Sequence, residues 1–433
     1  MQTSEEQKLR KESIDMLKYD AVPTAEGIRL LEQYQAGSSF LFSSPQGALL
    51  THGEWARLVE WQAVDEDSLP QAVAKLLDAA RQGDRDCPVV VGAIPFHAEE
   101  PVRLYVPKEV HRYEPLRIDT HDLQQETERD SYSVRAVPEP EQYKQGVNQV
   151  LERLQSGELQ KVVLSRSLEV TLSHDVDVQR LLHRLLCQNT RGYTFAVPLT
   201  MEQQHVSKDN GVSAAAGTAQ TLIGASPELL VTKRGMQIKV NPLAGSAARS
   251  DDPIEDERRA AQLLRSEKDL HEHAVVIEAV VSALRPYCSK LHVPEGPSLV
   301  STKTMWHLST EINGELADHA ISSLELALAL HPTPAICGTP TEAARDVIRE
   351  IEPFERGFFT GAVGWCDANG DGEWAVTIRC AEVEGRSLRL YAGAGIVVGS
   401  SAEAELAETS AKLRTLLQAI GLNEQQPMMM QEG

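Results

Sequence analysis

Apolar and polar positions along the chain change period several times, and the changes mark its elements. Residues 69–83, "LPQAVAKLLDAARQG", carry apolar residues at helical spacing, whereas "PVVVGAI" at 88–94 is a short apolar run that predicts a strand. The charged stretch 120–142, "THDLQQETERDSYSVRAVPEPEQ", predicts a loose linker or a surface excursion. From Tyr143 the pattern sharpens. "YKQGVNQVLERLQSGEL" predicts an amphipathic helix ending near Gly157, and "QKVVLSRSLEVTL" a strand of β-branched residues. Further strands are predicted at "YTFAVPL", "TLIGASPELLVTKRG" and "MQIKVNPLAGS". Helical spacing runs through 256–287 and 322–330, followed by strands at "GFFTGAVGWCD", "EWAVTIRCAEV" and "SLRLYAGAGIVVG" and a last helix. Groups of strands interrupted by groups of helices predict an antiparallel α/β assembly and not a series of βαβ units. Between two strands, 200–221 is polar and rich in small residues, which predicts a long surface loop.

The last helix is unusually acidic at its start. In "GSSAEAELAETSAKLRTLL" (399–417), Ser400 can cap the helix, with Glu403 three residues on completing a capping box. Glu405 and Glu408 are three apart and share a face with Lys412, while Leu406, Leu413 and Leu416 form a neighbouring apolar face. A solvated face and a ligand-holding face both remain open for these acids.

Charge narrows the partners. Lysine and arginine number 42 against 63 acids, a net charge of −21, so nucleic acid and anionic membrane surfaces are poor partners. An anionic substrate would need a metal cation or a local basic pocket. The six cysteines are scattered without a C-x-x-C pair and read as reduced thiols. No secretory signal pattern and no run of eighteen apolar residues occurs, which predicts a soluble cytoplasmic protein.

Five short segments invite a chemical reading. "DANGDGEW" (367–374) matches the first ligand positions of a calcium loop, but its twelfth position is Ile378 and its flanks are strands, so an acidic hairpin turn is predicted. His271 and His273 in "DLHEHAVV" are two apart and diverge by about 200° around a helix, which disfavours zinc. Glu272 between them has apolar Val275, Val276 and Val280 close behind it; half-buried there, it needs a cation or a hydrogen-bond donor. Lys161 opens a strand, Glu228 follows Pro227 before an apolar run, and Arg379 lies in an apolar strand pattern where a buried guanidinium would hold an anion.

Together, "LQKVVLSR", "GASPELL", "NPLAGSAAR", "KDLHEH", "HPTPAICGTP", "FFTGAVGW", "DGEWAVTIRCA" and "YAGAGIVVGSSAEAELAET" resemble the chorismate-utilising enzymes, most nearly the isochorismate synthases of siderophore pathways. The eight blocks are collinear between about 143 and 422. The resemblance implies a single α/β (α+β) chorismate-binding fold of two packed, largely antiparallel sheets flanked by helices. Residues 1–140 would be a variable N-terminal part of it, 141–422 the core and 423–433 a loose tail.

The resemblance also implies a magnesium ion held by Glu272 and Glu408, with Glu405 as the second acid of its helix face. It places Lys161 as general base and Glu228 as general acid. Ser246, Gly245, Arg379, Gly393, Lys412 and His331 fall on substrate-binding positions. The family usually carries threonine where Ser246 stands, "SDP" where this chain has "SSA", and an aromatic residue where Leu406 stands. The implied reaction adds water at C2 of chorismate as the C4 hydroxyl leaves. Salicylate synthases, which go on to eliminate pyruvate, share the lysine and both metal helices. Anthranilate synthases carry glutamine where Lys161 stands and aminodeoxychorismate synthases lysine where Ala244 stands, so no glutaminase partner is expected. A non-catalytic binding protein on the same scaffold is disfavoured by the intact Lys161, Glu228, Glu272 and Glu408 set.

Overall fold

Strand edges expose unpaired backbone groups that must find partners, and here the pairing runs through almost the whole chain. A computed structural model describes residues 25–58, 69–83, 87–116, 131–200 and 219–422. The strand Lys161–Leu172 carries Tyr132–Val137 and the two-residue strand Gly338–Thr339 on one edge, and Ser387–Ile396 on the other. From there the ribbon continues through Cys380–Glu384, Gln220–Ser226, Tyr193–Pro198 and Ser39–Ser44. The hairpin of Ser39–Ser44 with Gly47–Arg57 carries it into a second half. That half runs through Arg103–Tyr113, Val89–Ile94, Ala362–Asp367, Gly372–Val376, Leu229–Arg234, Gln237–Asn241, Ile312–Leu316 and Cys288–His292. All of these pairings are antiparallel.

The two halves of the ribbon face each other. Phe195, Leu222 and Tyr391 from one half pack against Val91, Tyr105, Val363 and Trp365 from the other, with Phe40 and Phe42 of the hairpin between them. Outside the first half, the helices Val178–Gln188 and Ala402–Ile420 bury Leu182, Leu185, Leu413 and Leu416 on Val170 and Leu390. Outside the second, Leu69–Gln82, Glu267–Leu284 and Ser323–Leu330 bury Leu77, Val276, Val280 and Ala327 against Val231, Trp374 and Val376. Strands covered on both sides lose the alternation that a one-sided strand shows: eight residues in a row, Lys161 to Leu168, are buried. A separate three-stranded sheet, Leu243–Ala248 with Met305–Ser309 and Ser298–Ser301, places Ser246 opposite His307. No helix among the described residues is long and apolar enough to cross a membrane.

Several expectations shift. The helical spacing through 256–287 is two helices, Pro253–Leu263 and Glu267–Leu284, because Ser266 turns its hydroxyl to the backbone N–H of Asp269 and starts the second one as its cap. Within the stretch expected to be loose, 131–142 is ordered: Tyr132–Val137 pairs with the core strand, and a helix starts at Pro140. The cap of the last helix is Ser401, which accepts from Ala404 N, and not Ser400, whose hydroxyl accepts from Val397 N. A helix over Thr341–Ile351, not expected from the pattern, covers the start of the Lys161 strand. The acidic hairpin is as predicted: Asp367 Oδ1 accepts from Asn369 N and Asp371 N, and Asp371 pairs with Lys233 at 2.9 Å. Most of the predicted 200–221 loop, residues 201–218, and the predicted tail, 423–433, lie outside the described residues.

Candidate active site

Where the Lys161 and Ser387–Ile396 strands meet the three-stranded sheet, the last helix and the Glu267–Leu284 helix, they leave a cleft with room for about 60 Å³ of water-sized centres. Its walls include Glu228, Gly245, Ser246, Glu272, Arg379, Gly393, Glu408 and Lys412. Eight of the residues singled out from the sequence therefore meet in one place.

Lys161 is fully buried one layer behind this wall. Its Nζ lies 2.8 Å from Glu272 Oε1. The angle there does not make a hydrogen bond, and the ammonium has no acceptor among the described residues. Gly395 makes the approach possible: a Cβ at that position would fall 2.2 Å from Glu272 Oε1 and 2.9 Å from Lys161 Cε. His271 points outward, while His273 is buried and bonds Ala244 O and Thr310 Oγ1, so the two histidines diverge as their spacing predicts.

Glu228 sits in the link between the strands Gln220–Ser226 and Leu229–Arg234 and is 3% exposed. Burial raises its carboxyl to about 7, opposed by the bond from Leu243 N and by the charges of Lys161, Lys412 and Arg379. Arg379 lies not inside a strand but in the link between Gly372–Val376 and Cys380–Glu384, at φ +50°. Left-handed backbone is costly for a residue with a Cβ and recurs at functional sites; here it accompanies a guanidinium turned toward the cleft. Burial lowers Arg379 to about 10, against the attraction of Glu408 and Glu228, so it keeps its charge at neutral pH. Beside it, His307 is held well below its usual value by burial and by Arg379 and Lys412, and its neutral ring stands 3.4 Å from the guanidinium.

The acidic start of the last helix turns inward. Glu405 is fully buried; one oxygen accepts from Lys268 Nζ at 2.8 Å, and the other has no partner among the described residues. Glu408 accepts from Ser246 Oγ at 2.9 Å and pairs with Lys412 at 2.7 Å, while Lys412 also donates to Gly393 O. Burial raises Glu405, and the neighbouring Glu408 raises it further. For Glu408 burial also acts upward, but Lys412, Lys268 and Ser246 outweigh it and hold the group below its usual value. Asp269, one turn before Glu272, is raised by burial and feels both Glu272 and Glu408.

These four acids are an all-oxygen donor set of the kind magnesium takes, and the Glu405 carboxylate is buried with a single lysine, Lys268, as its ionic partner. The fit is one of chemistry and position. No three of the four bring ligand oxygens within 4.8 Å of one another, because Lys161, Lys268 and Lys412 each hold one carboxylate. Gathering them requires side-chain rotation.

One expected site residue lies elsewhere. His331 caps the end of the Ser323–Leu330 helix, bonds Pro95 O, and faces a second cavity lined by Phe96, His97, Glu100 and Arg345. The sequence does not single out His307 and Gly395 in the cleft wall, nor Asp269 one turn before Glu272. Asp269 and Gly395 carried a signal, since Asp269 is at i−3 from Glu272 on a helix and Gly395 at i+2 from Gly393 on a strand. His307 carried none.

A family model described as chorismate binding enzyme matches residues 81–421. The isochorismate synthase DhbC of Bacillus subtilis is 51% identical over 409 residues, 94% of this chain and 100% of that protein. The vibriobactin-specific isochorismate synthase of Vibrio cholerae is 41% identical over 399 residues, covering 91% and 94%. The solved structure of DhbC from Bacillus anthracis superposes with a TM-score of 0.84 at 51% identity, covering 92% of this chain and 100% of that one.

Proposed function

Because the chain belongs to the chorismate-binding enzymes, we propose that it is an isochorismate synthase, an isomerase that adds water at C2 of chorismate as the C4 hydroxyl departs. The observation that carries the reading is the placing of two opposite proton-transfer groups around one cleft: a fully buried lysine behind its wall, paired with the lining Glu272, and a buried glutamate in the wall raised to about 7.

In this reading Lys161, in its neutral form, takes the proton of the attacking water, and Glu228, in its protonated form, gives one to the leaving hydroxyl. Burial favours the neutral form of a carboxyl, so Glu228 is kept protonated up to about neutral pH by its surroundings. Arg379 and Lys412 supply the positive charge that a dianionic substrate needs in an acidic protein, with Ser246 and the backbone at Gly245 and Gly393 as polar contacts. His307, neutral and beside Arg379, positions that guanidinium. Glu272, Glu405 and Glu408, joined by Asp269, would hold Mg²⁺. When bound, the ion supplies charge against the ring carboxylate of the substrate.

Chorismate incubated with the protein and Mg²⁺, then separated by chromatography, tests the reading. Isochorismate as the product supports it. Salicylate with pyruvate would assign the elimination as well, and unchanged chorismate would overturn it.

A further inference from the structure

We propose that His97, Glu100 and Glu355 form a second cation site, for a divalent first-row transition ion such as Zn²⁺, separate from the carboxylates of the cleft. One ligand atom from each of the three lies within 4.8 Å of the others. The loop after the Val89–Ile94 strand supplies His97 and Glu100, in a turn closed by the bond from Glu100 N to His97 O. Glu355 comes from the segment that follows the Thr341–Ile351 helix, and Phe96 N donates to Gly357 O at 2.9 Å, holding the two segments side by side.

The histidine is the independent sign of a ligand. His97 is 7% exposed, and its buried Nδ1 has no hydrogen-bond partner among the described residues. Leaving a ring nitrogen unpaired out of water is unfavourable, and a metal ion is one of the few groups that satisfies a neutral imidazole without a proton. Carboxylates also gather around Glu100. Burial raises Glu100, and Glu355, Glu99 and Glu382 raise it further. The buried cation nearby, Arg356, is occupied by Glu352, Ile336 O and Val163 O.

Ligand chemistry selects the ion. One imidazole with two carboxylates is a mixed set that suits zinc and its neighbours, whereas magnesium prefers oxygen throughout. Three protein ligands leave the fourth position of a tetrahedral ion to water. Glu355 is exposed, and its carboxylate already stands within reach of the other two ligands. The ion would clamp the 95–100 loop to the segment carrying Arg356 and Thr360, which supports the cleft: Arg356 donates to Val163 O in the Lys161 strand, and Thr360 lines the wall.

Chelator-stripped full-length protein titrated calorimetrically with Zn²⁺ decides the matter, using Glu355→Gln, His97→Gln and, as the control for the cleft, Glu408→Gln. Glu355 is on the surface, so its variant folds. One zinc per chain should bind the parent and Glu408→Gln alike and raise their melting temperatures. Glu355→Gln and His97→Gln should bind it at least about tenfold more weakly, and Glu355→Gln should lose the melting shift. Unchanged zinc affinity in Glu355→Gln, loss of the zinc in Glu408→Gln, or no binding by the parent would overturn the site.

Discussion

Lys161 Nζ rests 2.8 Å from Glu272 Oε1 in a wall that only a glycine at 395 permits. The pair joins a proposed general base to a proposed metal ligand, so the two roles are coupled through one carboxylate. Lys161→Ala should fold and still bind chorismate but lose about 10²-fold or more in turnover, the range general base catalysis contributes. Single-turnover kinetics beside an equilibrium binding measurement separate the two effects. Near-parent turnover would remove Lys161 from the chemistry.

Gly395→Ala probes the same relationship from the backbone. The methyl group would fall on the far ends of Glu272 and Lys161, which can shift, so the fold should survive. Turnover should fall by at least about tenfold, because displacements near 1 Å in a catalytic array are costly. A melting temperature near the parent's together with normal kinetics would show that the pair tolerates displacement.

How much of this was legible in the sequence depends on the range of the interaction. Strands such as Lys161–Leu172 and helices such as Pro140–Gln155 follow from local periodicity. The closure of the strand ribbon through Ser39–Ser44 does not, because it is set by packing between residues such as Phe42, Phe195 and Val363, which lie far apart in the chain. Local competition also misled: Ser266 divides one apparent helix into two, and Ser401 takes the cap that Ser400 could equally fill. Glu272, Glu405 and Glu408 were legible as acids on helix faces next to apolar residues. The pairing of Glu408 with Lys412 follows from their i,i+4 spacing, but those of Glu272 with Lys161 and Glu405 with Lys268 do not, since each lysine comes from another element. His331 sits in a motif block yet faces another cavity, which shows that collinearity gives proximity in sequence and not orientation.

Glu228 gives a pH dependence with a defined sign. Its folded value is raised from 4.5 to about 7 by burial, so the folded protein holds this proton where the unfolded chain has released it. Stability linked to the group is therefore greatest below about 4.5 and declines as pH rises through about 7. Glu228→Gln cannot ionise, so its melting temperature should gain on the parent's between pH 5 and 8. Its turnover should be low throughout. The parent's turnover should lose its Glu228-dependent part above about pH 7. Melting curves of parent and variant that run parallel across this range would contradict the assignment.

Glu408→Gln keeps the size of the side chain and removes one charge from the proposed magnesium set. The variant should fold and should need much higher Mg²⁺ for activity, or have none. Glu403→Gln, on the exposed face of the first turn, should lose a few tenths of a kcal/mol to about 1 kcal/mol through the helix dipole, with the parent's Mg²⁺ curve. Titrating Mg²⁺ against activity for both checks this. The parent's curve in Glu408→Gln would place the ion elsewhere.

The central claim is that solvent water enters at C2 while the C4 hydroxyl leaves. Mass spectrometry of the product formed from chorismate and Mg²⁺ in oxygen-18 water reads this directly. The account predicts isochorismate carrying one solvent-derived oxygen at C2, and no such product from Lys161→Ala within the same time. Isochorismate that keeps the original hydroxyl oxygen, or a product other than isochorismate, would contradict it.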